Sequence, residues 1–273
     1  MLAENSIPSW WNFRIGPRVD DLQQWLVDNR GSHWLFRFGF TAVAHLLYNL
    51  VQWCMNTLNF LTWPGVMLLA TLIALRVSGI RSAVIAGGSI FAMGMLGLWD
   101  SSMNTIALMT VALVLTLALG IPLGIYMAHH VWFERSTKVI FDAMQVMPAY
   151  CYLIPTVLLF SIGFPPAVVA TILFTLPATI RFVAHGIRGV PPQLVEVGDA
   201  HGATRRQILR HIEVPGARST LMLAINQSIN LGLGIVVIGA LVGTGGTGQD
   251  VLKSVQTLKT GKGFNAEIGR AHV

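Results

Sequence analysis

Three groups of residues in this chain have the types and spacing to act on something outside themselves. The first is a polar island, Glu196 to Pro215, reading EVGDAHGATRRQILRHIEVP in an otherwise apolar sequence. It holds charges and hydroxyls but no nucleophile beside a base, so its chemistry is contact with another surface. The second is Asn226, Gln227 and Asn230, amides inside a long apolar run, with Asn226 and Asn230 on one helical face at i, i+4. Amides in hydrocarbon either bond neighbouring helices or line a polar path, and both readings stay open. The third is Gly243, Gly245 and Gly248, which satisfy G-x-G-x-x-G. A dinucleotide site needs that motif between a strand and a helix. Here it follows an apolar span, which makes it a glycine-rich turn. The chain has no G-x-x-x-x-G-K-[ST], its eight histidines lack ligand spacing, and no Ser/His/Asp set clusters. Cys54 and Cys151 lie in apolar helical sequence and read as buried thiols, giving no metal or redox pair. Neither catalytic nor metal-binding residues are expected, and the chain is not read as an enzyme.

The elements that position these groups follow from composition. Of 273 residues, 53% are hydrophobic and 11% charged, against roughly 25% charged in soluble domains. No charge but Asp100 occurs between Ser82 and Phe133, and none between Ala143 and Ile180 or between Ser219 and Gln249. Uncharged runs of this length are spanning helices, because a bilayer requires ~20 apolar residues per crossing and internal pairing of the backbone. Apolar segments are expected at 62–76, 82–98, 104–128, 145–162, 165–185 and 218–242. The breaks fall at Val77-Ser78-Gly79, Trp99-Asp100, Glu134-Arg135 and Gly163–Pro166. Pro148, Pro155 and Pro177 interrupt helices as kinks or hinges. The fold class is therefore all-α, a polytopic membrane helix bundle.

Charge sets the orientation. With the polar island in the cytoplasm, the loops 76–81, 129–142 and 181–218 face inside and hold ten Lys and Arg, while 99–103 and 163–166 hold none. Lys253, Lys259 and Lys262 depart from this by falling outside. The net charge of +6 thus reports topology rather than a nucleic-acid face. No basic n-region leads into an apolar core at the N-terminus, so no cleavable signal is visible there. Segment 38–61 is amphipathic: His45, Asn49, Gln52, Asn56 and Asn59 form one polar stripe. It is expected to lie in the membrane interface, with spanning as the alternative.

The polar island has its own local logic. Pro191-Pro192 starts a helix, Leu194, Val197 and Ala200 share one face of it, and Gly202 ends it in the left-handed region. Thr204 and Gln207 match a capping box for a second helix, Arg205–Ile212, with Pro215 shortly beyond its end. Two short helices about a glycine make a rigid knob for a partner to grip.

Glu196, Gly202, Ile212 and Pro215 also fall on the pattern Glu-Ala-Ala, three residues, Gly, nine residues, Ile-x-Leu-Pro. Val197 and Gly198 replace the two alanines and Val214 the leucine. This resembles the coupling loop of ABC-importer permeases. Asp142–Gln145, Met147–Ala149, Tyr152–Pro155, Gly202-Ala203-Thr204-x-Arg206-Gln207, Asn226-Gln227, Val236–Ile238 and Gly245-Gly246-x-Gly248-Gln249 are similar to the glycine betaine/proline betaine branch. The resemblance covers roughly Trp63 to Phe264. It implies the type I importer transmembrane fold in a bacterial inner membrane, with domain 62–266 as permease and loop 190–215 docking an ATPase. Glu196, Gly202, Ala203, Thr204, Gln207, Ile212 and Pro215 would carry that docking, and Asn226, Gln227 and Asn230 a translocation path. Implied partners are the ATPase subunit, which holds ATP and Mg, an extracytoplasmic solute-binding protein, and a second permease copy in a homodimer. The implied solute is glycine betaine or a related compatible solute; an ion-coupled secondary carrier, or an amino acid as solute, is the alternative. Aromatic faces are the usual hold on quaternary ammonium ions, and Tyr150, Tyr152, Phe160 and Trp99 are the aromatic candidates.

An importer permease of this kind should continue past Phe264 into one more spanning helix. Glu267–Val273, reading EIGRAHV, resembles translated sequencing-adapter read-through, so this tail is expected to be non-native and the last helix missing.

Overall fold

The computed structural model describes residues 33–257 and, before them, residues 21, 24–26, 28 and 29. The tail Glu267–Val273, the helix expected after Phe264, and Lys259 and Lys262 lie outside the described residues. Among those described, every regular element is helical. A π turn Leu35–Phe40 leads into α1 (Thr41–Ser78), followed by α2 (Ile80–Met95), α3 (Trp99–His129), α4 (Val131–Val146), α5 (Tyr150–Phe160) and α6 (Phe164–Arg188). The polar island holds α7 (Pro192–Ala200) and α8 (Arg205–Ile208), and α9 (Arg218–Gly239) and α10 (Gly246–Gln256) close the order. Among the described residues four helices are long and apolar enough to cross a membrane, while α4 and α5 are bent by 102° at the break between them, as a broken span or a re-entrant loop is.

The spine of the bundle is α3, α6 and α9. Thr116 meets Thr175, a Cβ on Gly120 would meet Thr179, and one on Gly124 would meet Val183; the matching increments make α3 and α6 parallel. Thr179 meets Ser228 while Gly186 faces Thr220, so α9 runs back between them. Side-chain-free glycines allow this approach, the usual basis of helix association where no water drives it. At Gly124 a Cβ would lie 2.6 Å from Val183 Cβ. The threonine hydroxyls in α6 are satisfied within their own helix: Thr171, Thr175 and Thr179 donate to the carbonyls four residues back at 2.8, 2.8 and 2.9 Å.

This register fixes two ends. Trp99, Phe164 and Val242 mark the outer end, and His129, Arg188 and Arg218 the inner end, beside α7 and α8. At the outer end α10 docks on the first turns of α3 through Ser101 Oγ to Asp250 Oδ2 (2.5 Å) and Thr105 against Thr247 (3.2 Å).

The observed boundaries differ from the sequence expectations in four places, each for a local reason. The expected span 145–162 is really the end of α4, a bend of 102° and the 11-residue α5. Pro148 excludes the helical region for Met147, whose ψ is 133°. The break expected at Glu134-Arg135 lies at His130, which is extended, and both charged residues sit inside α4. The break expected at Trp99-Asp100 lies at Leu96–Leu98, where Gly97 takes φ 69°. Asp100 instead joins the first turn of α3, where the helix dipole favours an acid. Pro155 and Pro177 sit inside continuous helices. The fourth difference is in the polar island, below.

Helix α1 is broken at Thr62 (φ 56°, ψ 167°), two residues before Pro64. Its first arm buries Leu47 and Val51 in the core with Ala107, Leu108 and Val168. Phe40 packs edge-on against Phe160 and Tyr48 lies tilted beside Phe164 (ring centroids 5.5 and 6.3 Å), while Trp63 shares a cavity with Met95 and Trp99. Both ends of the arm are therefore beside outer-end residues, and it lies across the outer half of the bundle. His45, Asn49, Asn56 and Asn59 point away from the core and are exposed, and Gln52 is half-buried.

Candidate coupling surface

The polar island folds into a compact knob at the inner end. Helix α7 starts at Pro192 after extended Pro191, and it stops in a two-bond glycine cap. Gly202, at φ 73°, donates to Asp199 O at 2.9 Å and Ala203 donates to Gly198 O at 3.0 Å. These are the paired bonds that a left-handed C′ residue makes possible. Thr204 then caps α8: its backbone N–H donates to Gln207 Oε1 at 2.7 Å and its hydroxyl to the same oxygen at 2.9 Å. The second helix does not end before Pro215. It widens into a π turn, Leu209–Glu213, and runs on through the turn Val214–Gly216, with Pro215 among its first residues. Proline is tolerated there because the first N–H groups of a turn have no internal partner.

Two residues that the sequence reading passed over hold the knob together. Gly198 is buried, and a Cβ there would come within 2.7 Å of Ile212 Cδ1 and 3.3 Å of Ile208 Cγ1. Ile208 is 1% exposed. The position of Gly198 on the second alanine of the Glu-Ala-Ala pattern was the available signal. The other is Glu213, buried between the knob and the bundle, with Oε1 3.1 Å from His129 Nε2 and Oε2 without a partner among the described residues. It occupies the unspecified position of Ile-x-Val-Pro, so the pattern could not reveal it. Buried polar atoms generally find partners, and this carboxylate makes its one contact to the end of α3.

Of the other pattern residues, Glu196, Gln207 and Pro215 are exposed and Ile212 is half-buried. Leu194 and Val197, on the free face of α7, are 50% and 55% exposed. Asn226, Gln227 and Asn230 are separate from the knob, about 12–18 Å up α9 from Arg218 at 1.5 Å per residue. Asn226 and Asn230 are exposed on a stripe with Met222 and Gly234, while Gln227 is half-buried. The four aromatic candidates do not converge: Tyr152 packs on Phe174, Phe160 on Phe40, Trp99 lies near Trp63, and Tyr150 is exposed. The glycine motif at 243–248 joins the 3-10 turn Ala240–Val242 to α10 with no strand before it, which is no dinucleotide cradle.

Residues 120–263 match the family described as binding-protein-dependent transport system inner membrane component. The chain belongs to this family. It is 36% identical over 251 residues to the glycine betaine/proline betaine transport system permease protein ProW of Escherichia coli, covering 91% of this chain and 70% of that one. To the glycine betaine transport system permease protein OpuAB of Bacillus subtilis it is 42% identical over 173 residues, 63% of this chain and 61% of the relative. In fold it is similar to a chain of the inward-facing MetNI methionine ABC transporter, with TM-score 0.54 at 23% identity, covering 66% of this chain and 98% of that one. The family match spans the knob and reaches from the inner half of α3 to beyond α10. A multi-pass protein of the bacterial inner membrane, built on the type I ABC importer transmembrane fold, accounts for the helices, the charge asymmetry and the knob together. As a transport permease, the chain has the expected non-enzymatic role.

Proposed function

We propose that this chain imports glycine betaine or a related compatible solute, as the permease subunit coupled to a separate ATPase through the knob at 190–215. The observation that carries the coupling role is the exposed apolar face of α7. Leu194 and Val197 sit on a rigid, capped helix on the aqueous side of the bundle, where no lipid covers them. A partner surface does so. Glu196 and Gln207 stand beside that face and supply polar contacts at its rim, the usual anatomy of a protein interface. ATP and Mg belong to that partner.

In the membrane, Asn226 and Asn230 present amides with no partner among the described residues on the outward face of α9. Facing lipid, such groups are costly; facing a water-filled path shared with a second copy of the chain, they are not. We therefore assign them, with Gln227 at the edge, to the translocation path of a homodimer. The dispersed aromatic residues leave solute selection to the extracytoplasmic binding protein. The test is uptake of radiolabelled glycine betaine by the complete system. Accumulation that requires the ATPase and is competed by proline betaine is expected. High-affinity accumulation of an amino acid or sugar that glycine betaine leaves undisturbed would overturn the solute, and uptake persisting without the ATPase would overturn the coupling.

A further inference from the structure

A cavity of about 480 Å³ opens at the inner end between α4 and α6, apart from both the knob face and the amide stripe. Its floor is apolar, with Met127, Phe141 and Ala184, and its rim is basic, with Arg135, Lys138, Arg181, His185 and Arg188. Two of these cations are already neutralised. Arg188 pairs with Glu134 at 2.8 Å and also donates to the carbonyls of Met127 and Ala128. Arg181 pairs with Asp142 at 2.6 Å and donates to Gln145 and the Lys138 carbonyl. Arg135 and Lys138 have no such partner among the described residues, and they leave the rim with an unbalanced double positive charge.

A second feature says what meets this charge. Helix α4 turns 102° away from α5, which packs along α6 towards the outer end, so α4 lies across the bundle axis at the inner end. Trp132, Val139 and Val146 recur at steps of seven on one face and are 74%, 74% and 84% exposed. An amphipathic helix with an aromatic and aliphatic face, lying across the membrane normal and flanked by basic side chains, is the form of an interfacial helix. Arg135 and Lys138 stand beside that face, and an interfacial placement of α4 puts them at headgroup depth.

We propose that this cavity binds the phosphate of an anionic phospholipid of the cytoplasmic leaflet, with Arg135 and Lys138 as its charge partners and the apolar floor against the glycerol and first methylenes. The ion pairs of Arg181 and Arg188 hold the cavity wall rigid. The proposal depends on which end is cytoplasmic and not on the solute, so it stands or falls separately from the import reading.

The experiment uses the full-length chain in phosphatidylcholine nanodiscs doped with increasing phosphatidylglycerol, with retained lipid counted by native mass spectrometry. Each basic side chain near an anionic surface strengthens binding by about fivefold. Arg135→Gln/Lys138→Gln should therefore raise the phosphatidylglycerol needed for half-occupancy by about thirtyfold, leaving phosphatidylcholine retention unchanged. Arg135→Lys/Lys138→Arg should bind like the parent. Arg76→Gln/Arg81→Gln removes as much charge from the same end but away from the cavity, and should also bind like the parent. Unchanged binding in the Gln pair, or equal weakening in the Arg76/Arg81 pair, overturns the site. Displacement of the lipid from the parent chain by inorganic phosphate also overturns it, in favour of a soluble-anion site. Should the Gln pair fail to fold, the single variants decide, each with a fivefold shift expected and no shift overturning the site.

Discussion

The knob and the spine use opposite polarity rules. In the spine, hydroxyls of Thr116, Thr175, Thr179 and Ser228 are buried between helices, and large apolar side chains such as Val114 and Leu119 point outward, 58% and 49% exposed. In the knob, Ile208 is buried as in a soluble domain, yet Leu194 and Val197 face water. The difference teaches how to read exposure. Where the solvent is lipid, an exposed valine is at home, and an exposed asparagine requires explanation. Where the solvent is water, the exposed apolar pair requires one. The spine and knob also differ in what their glycines do. Gly124 lets two backbones approach, whereas Gly202 supplies a sign of φ.

The hardest test of the spine is Gly124→Leu. The new Cβ would lie 2.6 Å from Val183 Cβ and 2.9 Å from the Ile180 carbonyl, and neither a β-branched atom nor backbone can yield without moving α6. Overpacking costs about 1–3 kcal/mol, occasionally more, and a clash with backbone belongs at the upper end of that range, above the ~1 kcal/mol of helix propensity gained by losing a glycine. Thermal unfolding in detergent should show a marked drop in midpoint and a loss of monodisperse chain. An unchanged midpoint would mean that α3 and α6 are not in close contact.

In the knob, Gly202→Val should act on coupling instead. Nothing lies within 4 Å of a Cβ at Gly202, but its φ is +73°. The penalty is then backbone strain alone, about 1–3 kcal/mol, confined to the turn between α7 and α8. Membrane insertion should be kept and the unfolding midpoint should fall no further than in Gly124→Leu, while solute-stimulated ATPase activity in the assembled complex falls. Gly202→Asn, which tolerates the left-handed region, should restore most of it. Equal activity in all three forms would remove the turn from the coupling path.

Leu194→Asp and Val197→Asp ask whether the apolar face is a docking face. Both side chains are about half exposed, so the stability of the chain should change by no more than about 0.5 kcal/mol. Retention of the ATPase through purification should fall about tenfold or more, the scale of an interface anchor. Full retention would return Leu194 and Val197 to ordinary surface residues.

These contrasts also explain what the sequence could disclose. The knob was legible because its constraints are local: Gly202 closes a cap within five residues, and Thr204 and Gln207 cap within four. The spans at 104–128, 165–185 and 218–242 were legible from the absence of charge. The spine contacts were not, because Gly124 against Val183 and Thr179 against Ser228 depend on a register between distant helices. A small-residue spacing, as in Gly120-x-x-x-Gly124, marks a helix that can be approached closely but not what approaches it. The bend at 147–149 was half-legible: Pro148 was singled out, yet the apolar run through it hid that one segment turns by 102°. Glu213 was hidden altogether, since burial of a carboxylate against His129 is a property of the fold.

The smallest expected effect comes from Thr179→Val, and it separates two kinds of hydroxyl in the spine. Thr116 has no other partner among the described residues and can donate to Thr175 at 3.0 Å, while Thr175 donates to Thr171 O. At the other crossing the protons are already committed: Thr179 donates to Thr175 O at 2.9 Å and Ser228 to Ala224 O at 2.8 Å. Their oxygens lie 2.7 Å apart, so one hydroxyl must leave its carbonyl to bridge the helices. The bridge exchanges one bond for another. Removing it by Thr179→Val leaves Ser228 free to keep its own carbonyl, and the nearly equal volume preserves the contact with Gly120. The loss should then be at or below about 0.6 kcal/mol, the average for a hydrogen bond between membrane helices, whereas Thr116→Val, which deletes a donor that has no alternative, should cost more. Unfolding of both variants in the same detergent measures the difference. A loss at Thr179 that exceeds the loss at Thr116 would mean that the spine is held by its polar crossings rather than by its glycines, and the contrast with the knob would have to be drawn elsewhere.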